Sequence, residues 1–222
     1  MLYGYGGQIL AGAGLTLGVA ALSLVCGLAI GAAGAAAKLS GSRFLRLAAE
    51  VYTTIVRGVP ELLILLLLYY GGSVLLTWLR GDYVEVDALT AGVVALSCLS
   101  GAYATEVLRA AASAVPVGQI EAAKAFGMGR LLLLRRIMLP LLWRFALPGL
   151  GNIWLVLLKD TALISVVNLA ELMRRSVVAA GATRKPFTFY AVAALIYLGF
   201  TLVSMLAVAW LERRANRGIR RA

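Results

Sequence analysis

Histidine is absent from the 222 residues. That excludes imidazole acid–base chemistry and histidine-ligated metals. Cysteine is nearly absent: Cys26 and Cys98 each lie in an apolar run and read as small buried hydrophobes, not as a disulfide or a metal pair. Charge is scarce as well, at 14% of residues, against about 25% in an ordinary soluble domain. No Gly-x-x-x-x-Gly-Lys-Ser/Thr occurs, so the chain is not itself a P-loop nucleotidase. What is abundant is apolar surface: 62% of residues are hydrophobic and the mean hydropathy is +0.91. One small core cannot hide so much, so a soluble enzyme and a disordered chain are both excluded. An all-α, polytopic integral membrane protein remains.

The first 37 residues carry no formal charge. A cleaved signal peptide would show a basic start and a short apolar stretch, so this run reads as a true span, about 9–37. It contains Gly14-x-x-x-Gly18 and Gly27-x-x-x-Gly31, a spacing that lets helix backbones approach closely. Further spans are expected at about 50–79, 88–108 and 187–211. Region 137–186 is harder, because Pro140 and Pro148 discourage one straight helix. A fourth span over about 149–169 has adequate length and puts Lys159-Asp160 at its midpoint. The count is five, in one transmembrane domain covering 1–222.

Net charge is +11. The bases do not form one patch with aromatics, as a nucleic-acid binder would show. Fifteen of the 21 fall in three segments: Lys38 to Arg57, Arg109 to Arg144, and the tail from Arg213 to Arg221. The 80–87 loop has Arg80 against Asp82, Glu85 and Asp87. The positive-inside rule then places the N-terminus outside and the C-terminus in the cytoplasm. Arg174, Arg175, Arg184 and Lys185 break the rule, and a short amphipathic helix on the outer surface would accommodate them.

The longest cytoplasmic connection, about 114–140, carries the most information. Pro116 and Gly118 punctuate its start, Gln119–Phe126 is a good helix former, and Gly127 is placed to end that helix. On physics alone, an ordinary loop helix and a knob gripped by a soluble partner fit equally well. Its residues are more specific. Glu121-Ala122-Ala123, then Gly127, then Ile137-x-Leu139-Pro140 resembles the EAA loop of ABC importer permeases, with matching spacing throughout. Arg57-Gly58-Val59-Pro60-Glu61 resembles the Arg-Gly-x-Pro signature of polar amino acid permeases. Gly101-Ala-Tyr103-Ala-Thr-Glu106-x-x-Arg109 resembles their third span, and Pro148-Gly-x-Gly-Asn152 with Leu158-Lys159-Asp160-Thr161 their fourth. The opening residues and the Arg57–Glu61 stretch are most like the Q-type permeases of histidine and lysine/arginine/ornithine importers.

The resemblance implies the type I ABC importer permease fold and a bacterial inner-membrane location. It implies a non-catalytic subunit with no cofactor of its own; ATP and Mg are bound by a partner ATPase present in two copies. A sister permease, a periplasmic solute-binding protein, the amino-acid substrate and membrane lipid complete the set of partners, with no nucleic acid. Glu121, Ala122, Ala123 and Gly127 would couple ATPase closure to alternating access.

Ionisable residues inside a bilayer cost roughly 2.5–3.5 kcal/mol each, so each needs a reason. Glu106–Arg109 (i,i+3) reads as a local pair; Arg57–Glu61 (i,i+4) reads equally as a local pair or as a cavity acid. Lys159 and Asp160 are adjacent and cannot share a helix face. With the resemblance in hand, Asp160 and Glu61 would favour a positively charged amino acid, Lys159 would take a carboxylate, and Thr161 and Asn152 would hydrogen-bond either group. The sister permease could instead carry the only site, and glutamine or glutamate is an alternative cargo. A secondary transporter would need more spans and an internal repeat, and an intramembrane enzyme a nucleophile–base set; neither is present in the sequence.

Overall fold

A computed structural model describes residues 2–216, and the tail bases Arg217, Arg220 and Arg221 lie outside the described residues. The described residues are helical with turns and no strand. In chain order the helices are α1 (Gly6–Leu39), α2 (Arg43–Gly58), α3 (Glu61–Arg80), α4 (Ala88–Ser113), α5 (Val117–Ala125), α6 (Arg130–Leu133), α7 (Leu139–Asp160), α8 (Leu172–Thr183) and α9 (Pro186–Ala215). Among the described residues, five stretches are long and apolar enough to cross a bilayer: α1, α3, α4, the continuous run Arg130–Val167 that contains α7, and α9. α3 and α9 fully bury few of their apolar side chains, and Leu67, Val74, Leu79, Leu202 and Leu206 are exposed. Hydrocarbon is as apolar as leucine, so a spanning helix needs little protein cover.

Two expected spans are corrected. The run 50–79 is broken at Val59-Pro60 into α2 and α3. Pro60 has no N–H to continue the helix and pushes Val59 to extended angles (φ −103°, ψ 138°). The fourth helix begins at Leu139, not near 149, and its α-helical part ends at Asp160, followed by a 3₁₀ turn over Thr161–Val167. Pro140 falls in the first turn, where a missing N–H costs nothing. Pro148 sits inside the helix and removes one ladder bond. Lys159 and Asp160 therefore stand at the end of α7, not at its midpoint. A π-helical turn, Leu134–Met138, joins α6 to α7.

α1 and α4 form the most extensive interface. Of the two small-residue pairs, only the second lies in it. A Cβ at Gly27 would meet the Ser100 side chain, and one at Gly31 would lie 2.5 Å from the Ala104 Cβ; around Gly14 and Gly18 nothing lies within 4 Å. Gly31→Leu is expected to destabilise by about 2 kcal/mol by overpacking, whereas Gly14→Leu should be neutral. Thermal midpoints of the two detergent-purified variants check this, and equal midpoints would contradict the interface.

Contacts between helix ends define two faces. On one, the N-terminal residues meet the start of α9, with Tyr5 edge-on to Phe189, and the 81–87 loop lies beside Asn168. On the other, the ends of α1 and α4 meet α2, and the Arg144 Nε donates to the Ala215 carbonyl at 2.7 Å. α5 follows the end of α4 on this second face, called here the α5 face.

α8 is a helix, as expected for the basic 170–186 stretch, but it does not lie free. It buries Leu172, Ser176, Ala179 and Ala180 between α1 and α9. Glu171 caps it from a fully buried position, accepting from the amides of Met173 and Arg174, from the Thr16 hydroxyl of α1 at 3.2 Å and from Tyr197 of α9 at 3.3 Å. Burial pushes the Glu171 carboxyl above its ordinary value, against the pull of those hydrogen bonds.

Candidate functional site

α5 is nine residues long. Pro116 precedes it, with φ already near helical values. Its end is a Schellman motif: the Met128 amide donates to Ala123 O and the Gly127 amide to Lys124 O. That geometry needs a positive φ, and Gly127 supplies it at 76°. Glu121, Ala122, Lys124 and Ala125 are exposed, and Phe126 is 85% exposed. Ala123 is only 4% exposed and α5 packs against α6 and the π-turn, leaving Glu121 and Ala122 as the outward part of the motif. The result is a short, firmly terminated projection.

The second candidate lies between α4 and α7. A cavity of about 180 Å³ is lined by Leu99, Ser100 and Tyr103 from α4 and by Asn152, Ile153, Val156, Leu157 and Asp160 from α7. Asn152, Val156 and Asp160 share one helix face at i,i+4 spacing. Glu61 opens α3 and is half-buried, and it is not among the lining residues. Lys159 is exposed and Thr161 is buried, its hydroxyl donating to Leu158 O at 2.7 Å; neither lines the cavity. Of the five residues singled out, Asn152 and Asp160 reach the cavity and three do not.

Arg57 and Glu61 make no ion pair: the break at Pro60 separates their helices, and the Arg57 guanidinium lies over the Tyr103 ring, 5.5 Å from its centroid. Glu106 does pair with Arg109, at 3.0 Å. It also binds Lys38, which sequence places among the loop bases but the structure buries to 8% exposure. Lys38 further contacts Glu50 at 2.9 Å and donates to Thr53 at 2.7 Å. Among the described residues no cluster of three potential metal ligands occurs.

Five apolar spans, a projecting helix on one face and a mostly apolar cavity carrying Asn152 and Asp160 within the bundle fit a helical membrane permease. Residues 11–217 match the family described as binding-protein-dependent transport system inner membrane component. The chain is 51% identical, over 98% of its length and 94% of the relative's, to the nopaline transport system permease protein NocQ of Agrobacterium fabrum. It is 45% identical to the histidine/lysine/arginine/ornithine transport system permease protein HisQ of Escherichia coli, over 100% of this chain and 99% of that one. A crystal structure of an amino acid ABC transporter with histidines superposes with a TM-score of 0.84, at 34% identity and 95% coverage of both chains. The chain belongs to the binding-protein-dependent permease family: it is a non-catalytic, inner-membrane permease subunit of an amino-acid ABC importer. The family implies an ATP-binding subunit that hydrolyses ATP and a substrate-binding protein.

Proposed function

We propose that this chain is the Q-like permease of an importer for cationic amino acids of the histidine, lysine, arginine and ornithine class. It pairs with a sister permease, two ATP-binding subunits that hold ATP and Mg, and a periplasmic binding protein. The N-terminus and α8 face the periplasm; the α5 face is cytoplasmic, in keeping with its bases. α5 acts as a rigid lever: Glu121 and Ala122 seat on the ATPase, Ala123 fixes the helix to the permease, and Gly127 turns the chain back. ATPase closure pushes α5, and the π-turn and α7 carry the push into the bundle.

The observation that carries the cationic reading is Asp160, the one acid in the cavity lining, with Glu61 at the start of α3 as the second acid of the site. A partly buried carboxylate is stabilised by a cation beside it. The printed names of the relatives, histidine/lysine/arginine/ornithine among them, support the same substrate class. Asn152 hydrogen-bonds the backbone groups of the amino acid. Lys159 and Thr161, which lie off the cavity, have supporting roles at most: an electrostatic one for Lys159 and a structural one for Thr161.

Asp160→Asn in the full complex is expected to lower uptake of arginine and lysine about tenfold, the worth of one charge-assisted contact, with little change for neutral amino acids. Unchanged uptake of every amino acid would assign the site to the sister permease instead.

A further inference from the structure

We propose that Tyr103 closes the cavity on its α5 side, and that Arg57, stacked on the ring, is the positioning residue that latches it. The proposal rests on the reading of this cavity as the substrate path. From Asp160 the cavity follows α7 back to Asn152, about 12 Å towards the α5 face. Tyr103 stands at that end of the lining. It is one turn before Glu106, whose carboxylate joins Lys38 and Arg109 on the α5 face. Beyond it, towards that face, α4 contributes no further lining residue.

Arg57 lies over the ring but does not line the cavity, so the Tyr103 ring is what links the guanidinium to the cavity lining. A cation over an aromatic face favours one ring orientation. Arg57 is itself held in place. It occupies the last turn of α2, and α2 is fastened to α4 by the Tyr52 hydroxyl, which donates to Cys98 O at 2.6 Å. Lys38 ties Thr53 and Glu50 of the same helix to Glu106 of α4. One residue past Gly58 the chain breaks at Val59-Pro60 and α3 begins. The latch thus sits beside the joint between α2 and α3. Rotation of Tyr103 away from Arg57 would then connect Asn152 with the α5 face.

The test uses the assembled complex in membrane vesicles, with Cys26 and Cys98 replaced by serine. Asn152→Cys reports the cavity, and Arg43→Cys, exposed at the start of α2 on the α5 face, reports in a separate complex which face is being reached. A membrane-impermeant maleimide is applied to inside-out and to right-side-out vesicles. Tyr103→Ala and Arg57→Gln are expected to raise labelling of the cavity cysteine about fivefold, the population shift carried by one cation–π contact, and only from the face that labels position 43. Tyr103→Phe and Arg57→Lys keep the stacking and should stay within about twofold of the parent. These conservative variants separate a latch from a general loss of packing. No rise in Arg57→Gln, or an equal rise from both faces, overturns the proposal. Labelling at position 43 from the periplasmic side would refute the orientation and leave the gate intact. Failure of the Asp160→Asn uptake result would refute the substrate assignment alone.

Discussion

Glu121→Arg is expected to abolish coupled uptake while the permease still reaches the membrane. The side chain stands on the exposed side of a nine-residue helix, so its replacement costs the permease fold little. Its worth lies in what it would meet. Reversing a charge at a docked interface forfeits one charge-assisted contact and adds a repulsion, together about 2 kcal/mol or more, which is about thirtyfold in affinity. The ATP-binding subunit should no longer co-purify, and uptake should fall in proportion. Gln119→Arg adds a base to the same helix without removing the acid and should have the smaller effect. Full uptake and intact co-purification in Glu121→Arg would show that α5 is an ordinary loop helix.

The features legible in the sequence share a local cause. The five apolar runs need only composition. The helix over α5 and its stop at Gly127 need only propensity and one left-handed residue. The Glu106–Arg109 pair needs only i,i+3 spacing. The features that were not legible depend on partners far along the chain. Lys38 reads as a loop base until Glu106, 68 residues away, accepts a hydrogen bond from its ammonium. Glu171 carries no local signal; its meaning comes from Thr16, 155 residues earlier, and from Tyr197. At Pro60 the apolar run that follows favours one span although the proline breaks it. Pro140 is the reverse case: sequence alone reads it as an interruption, whereas it opens α7. The cavity combines both limits. Asn152 and Asp160 follow from helical spacing, whereas the α4 wall of Leu99, Ser100 and Tyr103 requires knowledge of which helix packs there.

Stripping Lys38 of both carboxylates is expected to be the most destabilising change on the α5 face. The Lys38 side chain is 3% exposed, whereas Glu50 is 61% and Glu106 21% exposed. The cost of burial therefore falls on the cation. Glu50→Ala alone removes a largely solvated partner and should cost less than about 1 kcal/mol. Glu106→Ala removes the better-buried partner but leaves Glu50 in place, and should cost more. With both acids gone, a buried ammonium has only the Thr53 hydroxyl, and the loss should reach about 3 kcal/mol or more, on the order of 10 °C in the thermal midpoint of the purified complex. Adding Lys38→Met to that double variant should recover most of the loss, because methionine fills the same space and leaves no charge to solvate. A triple variant no more stable than the double one would mean that the acids hold α2 by some route other than Lys38. Either outcome bears on the cavity, since α2 carries Arg57 and its seat against α4 depends on this cluster.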